Sequence, residues 1–239
     1  MTYCVAMALA DGLICVSDTR TNAGVDHIAT FPKLHRFSVA GEREILLQSA
    51  GNLATTQSVV TLLRQQIKAD AGRHLLNVSS LFSAAELIGE QLREVVARDS
   101  SELTKGVNLG CSFLLSGQIK GEPPRLFDIY PEGNFIESSV ETPYFQIGES
   151  KYGKPIIDRI LRYDTPLDQA LTCALISFDS TINSNLSVGM PLDVLMLERD
   201  AFSVRQRRVV ADEDYGRRLR QAWGEGIRVL FASMPTFEW

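Results

Sequence analysis

The chain has 239 residues, enough for one generous domain or two small ones, and its 45% hydrophobic content supplies material for a large core. A formal net charge of -5, with Lys and Arg scattered among acids, argues against a general nucleic-acid binder; even the densest basic run, Arg205-Gln206-Arg207-Arg208, is soon followed by Asp212-Glu213-Asp214. No apolar stretch is long enough to span a bilayer, and the N-terminal apolar run meets Asp11 with no basic residue before it, so neither a membrane span nor a secretory signal is expected, and the cytoplasm is the expected compartment.

The first element carries the most information. Residues 2–9 and 13–19 are nearly continuous apolar runs, the pattern of strands covered on both faces, and Asp11-Gly12 between them signals a hairpin. The expected turn has three residues, with Gly12 left-handed, and pairs Cys4 with Asp18. That register puts Asp18 on the same face as Thr2, whereas a two-residue Asp11-Gly12 loop would not. Residues 21–32 read as a loop, followed by strands at about 33–39 and 43–50, and after Gly51-Asn52 a helix to about Ala71 with Leu53, Val60, Leu63 and Ile67 on one side. A second helix follows: Ser83 and Glu86 have capping-box spacing, Ser79 and Ser80 are alternative caps, and Asp99-Ser100-Ser101 ends it.

Strand-like segments come next at about 109–119, 124–130, 134–138 and 143–147, then helices at about 151–163 and 166–181, strands at about 192–198 and 201–209, and a helix at about 212–231. Strands and helices in separate blocks predict an α+β layered fold rather than a βαβ alternation. Without a repeat or a linker, one domain over residues 1–239 is the economical reading. The end of the chain is apolar and aromatic through Phe237 and Trp239, and is expected to pack on its own domain or on a neighbouring subunit.

Cys4, Cys15, Cys111 and Cys173 each sit in an apolar segment and read as reduced core thiols. Three isolated histidines, His27, His35 and His74, form no metal-ligand spacing, and no Walker loop, GxGxxG or GxSxG occurs, so no metal or other cofactor is expected. Position two offers a different chemistry. Removal of Met1 would expose a threonine whose α-amine titrates near ~7.7–8, able to take the proton of its own hydroxyl as that hydroxyl attacks an amide. A lysine cation would acidify both groups, a carboxylate would hold the lysine, and a backbone N–H would face the oxyanion. Lys33, Asp18 and the Gly51 amide can meet those needs.

The arrangement of Thr2 opening a strand, Ser17-Asp18-Thr19-Arg20 closing its partner, Lys33 heading the next strand and Ser49-Ala50-Gly51 before a helix resembles the proteasome β-subunit family of N-terminal nucleophile (Ntn) hydrolases. Thr2-Tyr3-Cys4-Val5-Ala6, the run from Ser17 to Asp26, and Gly148-Glu149-Ser150-Lys151-Tyr152-Gly153-Lys154-Pro155 look typical of its bacterial Anbu branch. The resemblance implies a four-layer αββα sandwich. It implies Thr2 as nucleophile and base, Asp18 and Lys33 as its activating pair, Arg20 as a structural partner and the Gly51 amide in the oxyanion hole. Backbone from Thr21 through Asn22 to Ala23, and around Gly51, would pair with an extended peptide.

Two departures from the family are visible. Its Gly-Ser-Gly reads Gly148-Glu149-Ser150 here, which makes Ser150, offset by one residue, the candidate serine. Its Asp-x-x-Ser-Gly reads Asp179-Ser180-Thr181-Ile182-Asn183, so Asp179 is carried over and its serine partner is Ser180 or absent. The implied function is a threonine peptidase acting on peptides or unfolded protein inside a homo-oligomer, a ring or an open helical assembly, with any ATP-driven unfolding left to a separate partner. A small-molecule amidase of the same class and an inactive structural subunit are the alternatives.

Overall fold

The computed structural model describes residues 2–22, 28–70, 72–101, 104–211 and 213–239, with backbone alone at Asn22 and Ile28. Two five-stranded sheets lie face to face. One has the order β10-β1-β2-β11-β12, built from β1 (Tyr3–Leu9), β2 (Gly12–Asp18), β10 (Tyr144–Gly148), β11 (Leu192–Glu198) and β12 (Val204–Val209). The other has the order β5-β6-β7-β8-β9, from β5 (Leu34–Val39), β6 (Arg43–Gly51), β7 (Cys111–Ile119), β8 (Arg125–Ile129) and β9 (Phe135–Glu137). Helices α1 (Leu53–Lys68) and α2 (Leu81–Asp99) cover the second sheet, while α3 (Lys154–Ile160) and α4 (Leu167–Ser184) cover the first. Helix, sheet, sheet, helix is the expected αββα sandwich. No described helix is long and apolar enough to cross a membrane.

Side-chain size explains why β1 and β2 read as continuous apolar runs. Tyr3, Val5, Met7 and Leu9 point at α3 and α4, while Cys4, Ala6 and Ala8 point at the other sheet. Both faces are dry, and the small residues on the inner one let the two sheets approach. Gln48 of β6 ties the sheets together, its Nε2 donating to Val16 O at 2.9 Å and to Ser17 Oγ at 2.8 Å. All four cysteines are buried and free; burial pushes the Cys4 and Cys15 thiols up to about 12, which leaves them inert as nucleophiles.

Several local expectations need correction. The hairpin turn has two residues, not three: Leu9 pairs with Gly12 and Cys4 with Ser17, so the connection is Ala10-Asp11. Gly12 serves a close approach rather than the turn, since a Cβ there would fall 2.1 Å from Leu197 O on β11. The stretch 21–32 contains a short pair, β3 (Arg20–Asn22) with β4 (Ile28–Thr30). The cap of α2 is Ser80, which accepts Ser83 N at 3.0 Å, while Glu86 pairs with Arg73 instead. Helix α3 is shorter than the 151–163 expected, starting at Lys154-Pro155. The last helix, α5 (Asp214–Ala232), has no buried residue. The C-terminal segment therefore does not bury itself in its own domain.

Asp128 of β8 sits opposite Leu114 on the face turned to the other sheet, and its Oδ1 is buried with no hydrogen-bond partner. Burial pushes its carboxyl up to about 6. A carboxyl raised in the folded state prefers the proton there, so it costs nothing below the unfolded value near ~4, and the cost grows through pH 4–6 and is full above. Asp128→Asn is expected to gain about 1–2 kcal/mol at pH 7.5, allowing for the part of the group that reaches water, and almost nothing at pH 4. Urea melts of the two proteins at both pH values measure it, and an equal gain at both would disprove the assignment.

Candidate active site

The chain is anchored immediately after Thr2. The Tyr3 ring packs 4.3 Å from Phe178 of α4, and its hydroxyl shares a 2.6 Å hydrogen bond with Ser177 Oγ and accepts Gln146 Nε2. Burial pushes the phenol well above its ordinary value, so it stays a neutral hydrogen-bonding group. Gly153 makes room for this knot, since a Cβ there would lie 2.1 Å from Ser177 Oγ. On the opposite side of the strand the Thr2 carbonyl accepts Glu149 N at 2.6 Å. Thr2 itself is half-buried, open enough to be approached.

Asp18 ends β2 at the same place. In the observed register, alternation puts it opposite Tyr3 rather than on the Thr2 face. The carboxylate nevertheless reaches the start of β1, because it turns to the strand's edge, where main-chain amides point. Its Oδ1 accepts Tyr3 N at 3.0 Å and Lys33 Nζ at 2.7 Å. Lys33 also donates to Arg20 O at 2.6 Å. Asp18 is 0% exposed and Lys33 5%. Burial pushes the Asp18 carboxyl up, and the Lys33 ammonium and the amides of Tyr3 and Gly189 oppose that push by favouring its charged form.

Lys33 is held from behind, as Ser49 N donates to its carbonyl at 3.0 Å, and Cys4 Sγ donates to Ser49 O at 3.7 Å. Two residues further along β6 comes Gly51, at φ +112, where a Cβ would lie 2.6 Å from Gly110 O. Asn52 then caps α1 by accepting Thr55 N at 3.2 Å. The ends of β1, β2 and β6 and the head of β5 thus converge on one corner.

A loop at 185–191, joining α4 to β11, closes over that corner. Arg20 Nη1 donates to Leu186 O at 3.0 Å, Thr19 Oγ1 to Pro191 O at 2.8 Å, and Gly189 N to Asp18 Oδ2 at 3.4 Å. Asn185 Nδ2 donates to Glu149 Oε2 at 2.8 Å, and the other Glu149 oxygen accepts Lys151 N at 2.9 Å. Gly189 leaves room for the Arg20 guanidinium, whose carbon would sit 2.3 Å from a Cβ there, a clash that the flexible arginine end can relieve by shifting. Sequence reading missed Glu149, Asn185 and Gly189; the one available signal was a charged residue standing where a serine was expected.

With this geometry in place, comparison with known proteins is decisive about family. The family model described as "Proteasome subunit" matches residues 2–195. The chain belongs to the proteasome-subunit family. A curated relative, the proteasome subunit beta of Haloquadratum walsbyi, is 21% identical over 210 residues, covering 86% of this chain and 76% of its own length. Among solved structures, Anbu (ancestral beta-subunit) from Yersinia bercovieri is 58% identical, with a TM-score of 0.94 and 99% of each chain covered. The helical assembly of the Anbu complex from Pseudomonas aeruginosa is 55% identical, with a TM-score of 0.95, covering 99% of this chain and 98% of that one. Within the proteasome-subunit family this chain falls in the Anbu branch.

Other residues expected in the proteasome-subunit site take varied positions. Thr21 lies in β3 opposite Ala29, its hydroxyl buried without a partner, and Asn22 continues that strand opposite Ile28; Ala23 lies outside the described residues. Ser150 follows Glu149 in the same turn, and its carbonyl accepts Lys154 N at 3.3 Å. Asp179 is committed elsewhere: it accepts Arg220 Nε of α5 at 2.8 Å and Asn183 Nδ2 at 3.2 Å, and none of its hydrogen bonds reaches Asp18 or Lys33. Ser180 is its neighbour on α4. Contacts to the site from this part of the chain come instead from the loop after α4.

Proposed function

We propose that this chain is a threonine peptidase of proteasome type whose nucleophile is Thr2 once Met1 has been removed. The observation that carries the reading is the sharing of Asp18 Oδ1 between Lys33 Nζ and the amide of Tyr3, which sets a buried ammonium beside the residue that follows Thr2. The Thr2 hydroxyl attacks a peptide carbonyl carbon and passes its proton to the Thr2 α-amine, directly or through one water. Lys33 lowers the hydroxyl's pKa and stabilises negative charge, and the Gly51 amide faces the oxyanion. The C–N bond breaks as the α-ammonium protonates the departing amine, leaving an ester on Thr2. The amine then deprotonates water, which attacks the ester, releases the acid and regenerates the hydroxyl.

Extended substrate binds by main-chain pairing with residues 21–23 and the Gly51 segment. The enzyme works as a homo-oligomer, a reading supported by the likeness to the Anbu helical assembly. Four buried free cysteines support the reducing cytoplasm as its compartment.

Incubation with a strained acyl electrophile such as a β-lactone tests the nucleophile. Intact mass is expected to show one adduct on the protein lacking Met1, and none on Thr2→Ala. Equal labelling of both proteins would end the reading.

A further inference from the structure

Helix α5 carries one apolar stripe, with Tyr215, Leu219, Trp223, Ile227 and Leu230 recurring at three- and four-residue spacing. Its two halves differ in what covers them. The first half lies along α4 and β12, where Tyr215, Leu219 and Trp223 line one apolar pocket with Leu175, Ile176 and Val209, and Arg220 pairs with Asp179. From Glu225 onward every residue is exposed, and the apolar side chains continue past the helix into the tail: Phe231 is 78% exposed, Phe237 77% and Trp239 109%. The rings of Phe237 and Trp239 touch only edge to face, with centroids 5.1 Å apart. A patch of this size has a large hydrophobic cost in water.

Beside the base of the same helix lies an apolar groove of about 280 Å³ between α4 and β12. Leu171 and Leu175 of α4 and Val194 and Met196 of β11 line it, and its charged residues are Arg205 and Arg207 together with Asp168 and Glu213. One copy cannot fill its own groove. Ala232 is about 27 Å along the helix axis from Asp214, and even Trp239, seven residues beyond, spans at most about 25 Å fully extended, before any residue is spent on reversing direction.

We propose that the segment from Ile227 to Trp239 of one copy docks its aromatic side chains into the α4–β12 groove of the next copy. Both halves of the contact exist on this chain and only a second copy can bring them together. Glu238 of the incoming tail faces a rim carrying Arg205 and Arg207. Their present partners, Glu198 and Glu213, form exposed or rim ion pairs that cost little to rearrange. Donor and acceptor surfaces differ, so the contact either closes as a reciprocal exchange in a two-fold dimer or runs head-to-tail into a ring or an open helix. The proposal rests on the reading of the chain as a homo-oligomer.

Sedimentation velocity on the full chain tests it, with Phe237→Ala/Trp239→Ala on the tail side and Leu171→Asp on the groove side, and circular dichroism and thermal melts to confirm folding. Each variant is expected to stay folded and to need at least 100-fold higher concentration than wild type to assemble. A mixture of Trp239→Cys and Leu171→Cys chains is expected to give an interchain disulfide that neither chain gives alone. Wild-type size retained by the tail variant overturns the proposal and leaves the homo-oligomer reading standing. Loss of assembly in the tail variant alone, with no mixed disulfide, also overturns it by seating the tail elsewhere. A tail still open to protease in assembled wild type does the same, assigning the segment to an unrelated partner. A wild type that stays monomeric at all concentrations removes both readings.

Discussion

Lys33→Met is expected to lower kcat/KM on a peptide amide by at least about 1000-fold and to cost about 3–5 kcal/mol of stability, because it strips the partner from a fully buried carboxylate. Asp18 would keep only the amides of Tyr3 and Gly189, at 3.0 and 3.4 Å. With the opposing ammonium gone, burial drives the Asp18 carboxyl further up, so the folded variant takes a proton that the unfolded chain does not hold. A folded-state pKa raised in this way makes the deficit largest at neutral pH and smaller as pH falls through the raised value. Urea melts at pH 7.5 and 5 measure that trend. Adding Asp18→Asn to Lys33→Met should restore much of the stability and none of the activity, a non-additivity expected of contacting groups. An active Lys33→Met would remove the lysine from the mechanism. A variant inactive but as stable as wild type would remove the buried-pair argument while leaving the catalytic one.

Gly148→Ala is the second large effect expected, and it separates geometry from stability. Gly148 has φ +83, and an added Cβ would fall 2.1 Å from Thr2 O and 2.8 Å from Thr2 C. The clash is with main chain, and the Thr2 carbonyl is already pinned by Glu149 N at 2.6 Å, so relief must move Thr2 itself. Displacing a nucleophile by a fraction of an ångström to 1 Å costs about 100-fold in rate, and left-handed strain adds about 1–3 kcal/mol of instability. Gly41→Ala is the control: it has φ +70 with nothing within 4 Å of its Cβ, so it should share the strain and leave turnover untouched. Steady-state kinetics with melts on both variants decide the matter. Full kcat in Gly148→Ala would mean that Thr2 is not held where the reaction needs it.

Local pattern made most of the elements legible. The pattern places a strand at 192–198, the observed bounds of Leu192–Glu198, and the other strands and helices, except α3 and the β3–β4 pair, within a few residues, because periodicity and caps act over a turn or two of chain. Gly12 shows where local reading misleads. Asp-Gly carries a turn signal, yet this glycine exists because β11, far along the chain, crosses within 2.1 Å of where its side chain would be. Asp179 shows a related effect: α5 brings Arg220 to its carboxylate at 2.8 Å, a partner 41 positions away that local spacing does not announce.

Residue identity and short spacings in the sequence alone determined the layered fold, the grouping of Thr2, Asp18, Lys33 and Gly51 as candidates, and the apolar character of the tail. Tertiary structure decided the register that brings the Asp18 carboxylate to Tyr3 N, the Glu149–Asn185 and Asp18–Gly189 contacts, and the exposure of the α5 stripe. Those features depend on groups up to 171 positions apart, whose meeting is set by sheet order and core packing and leaves no periodic mark on the chain.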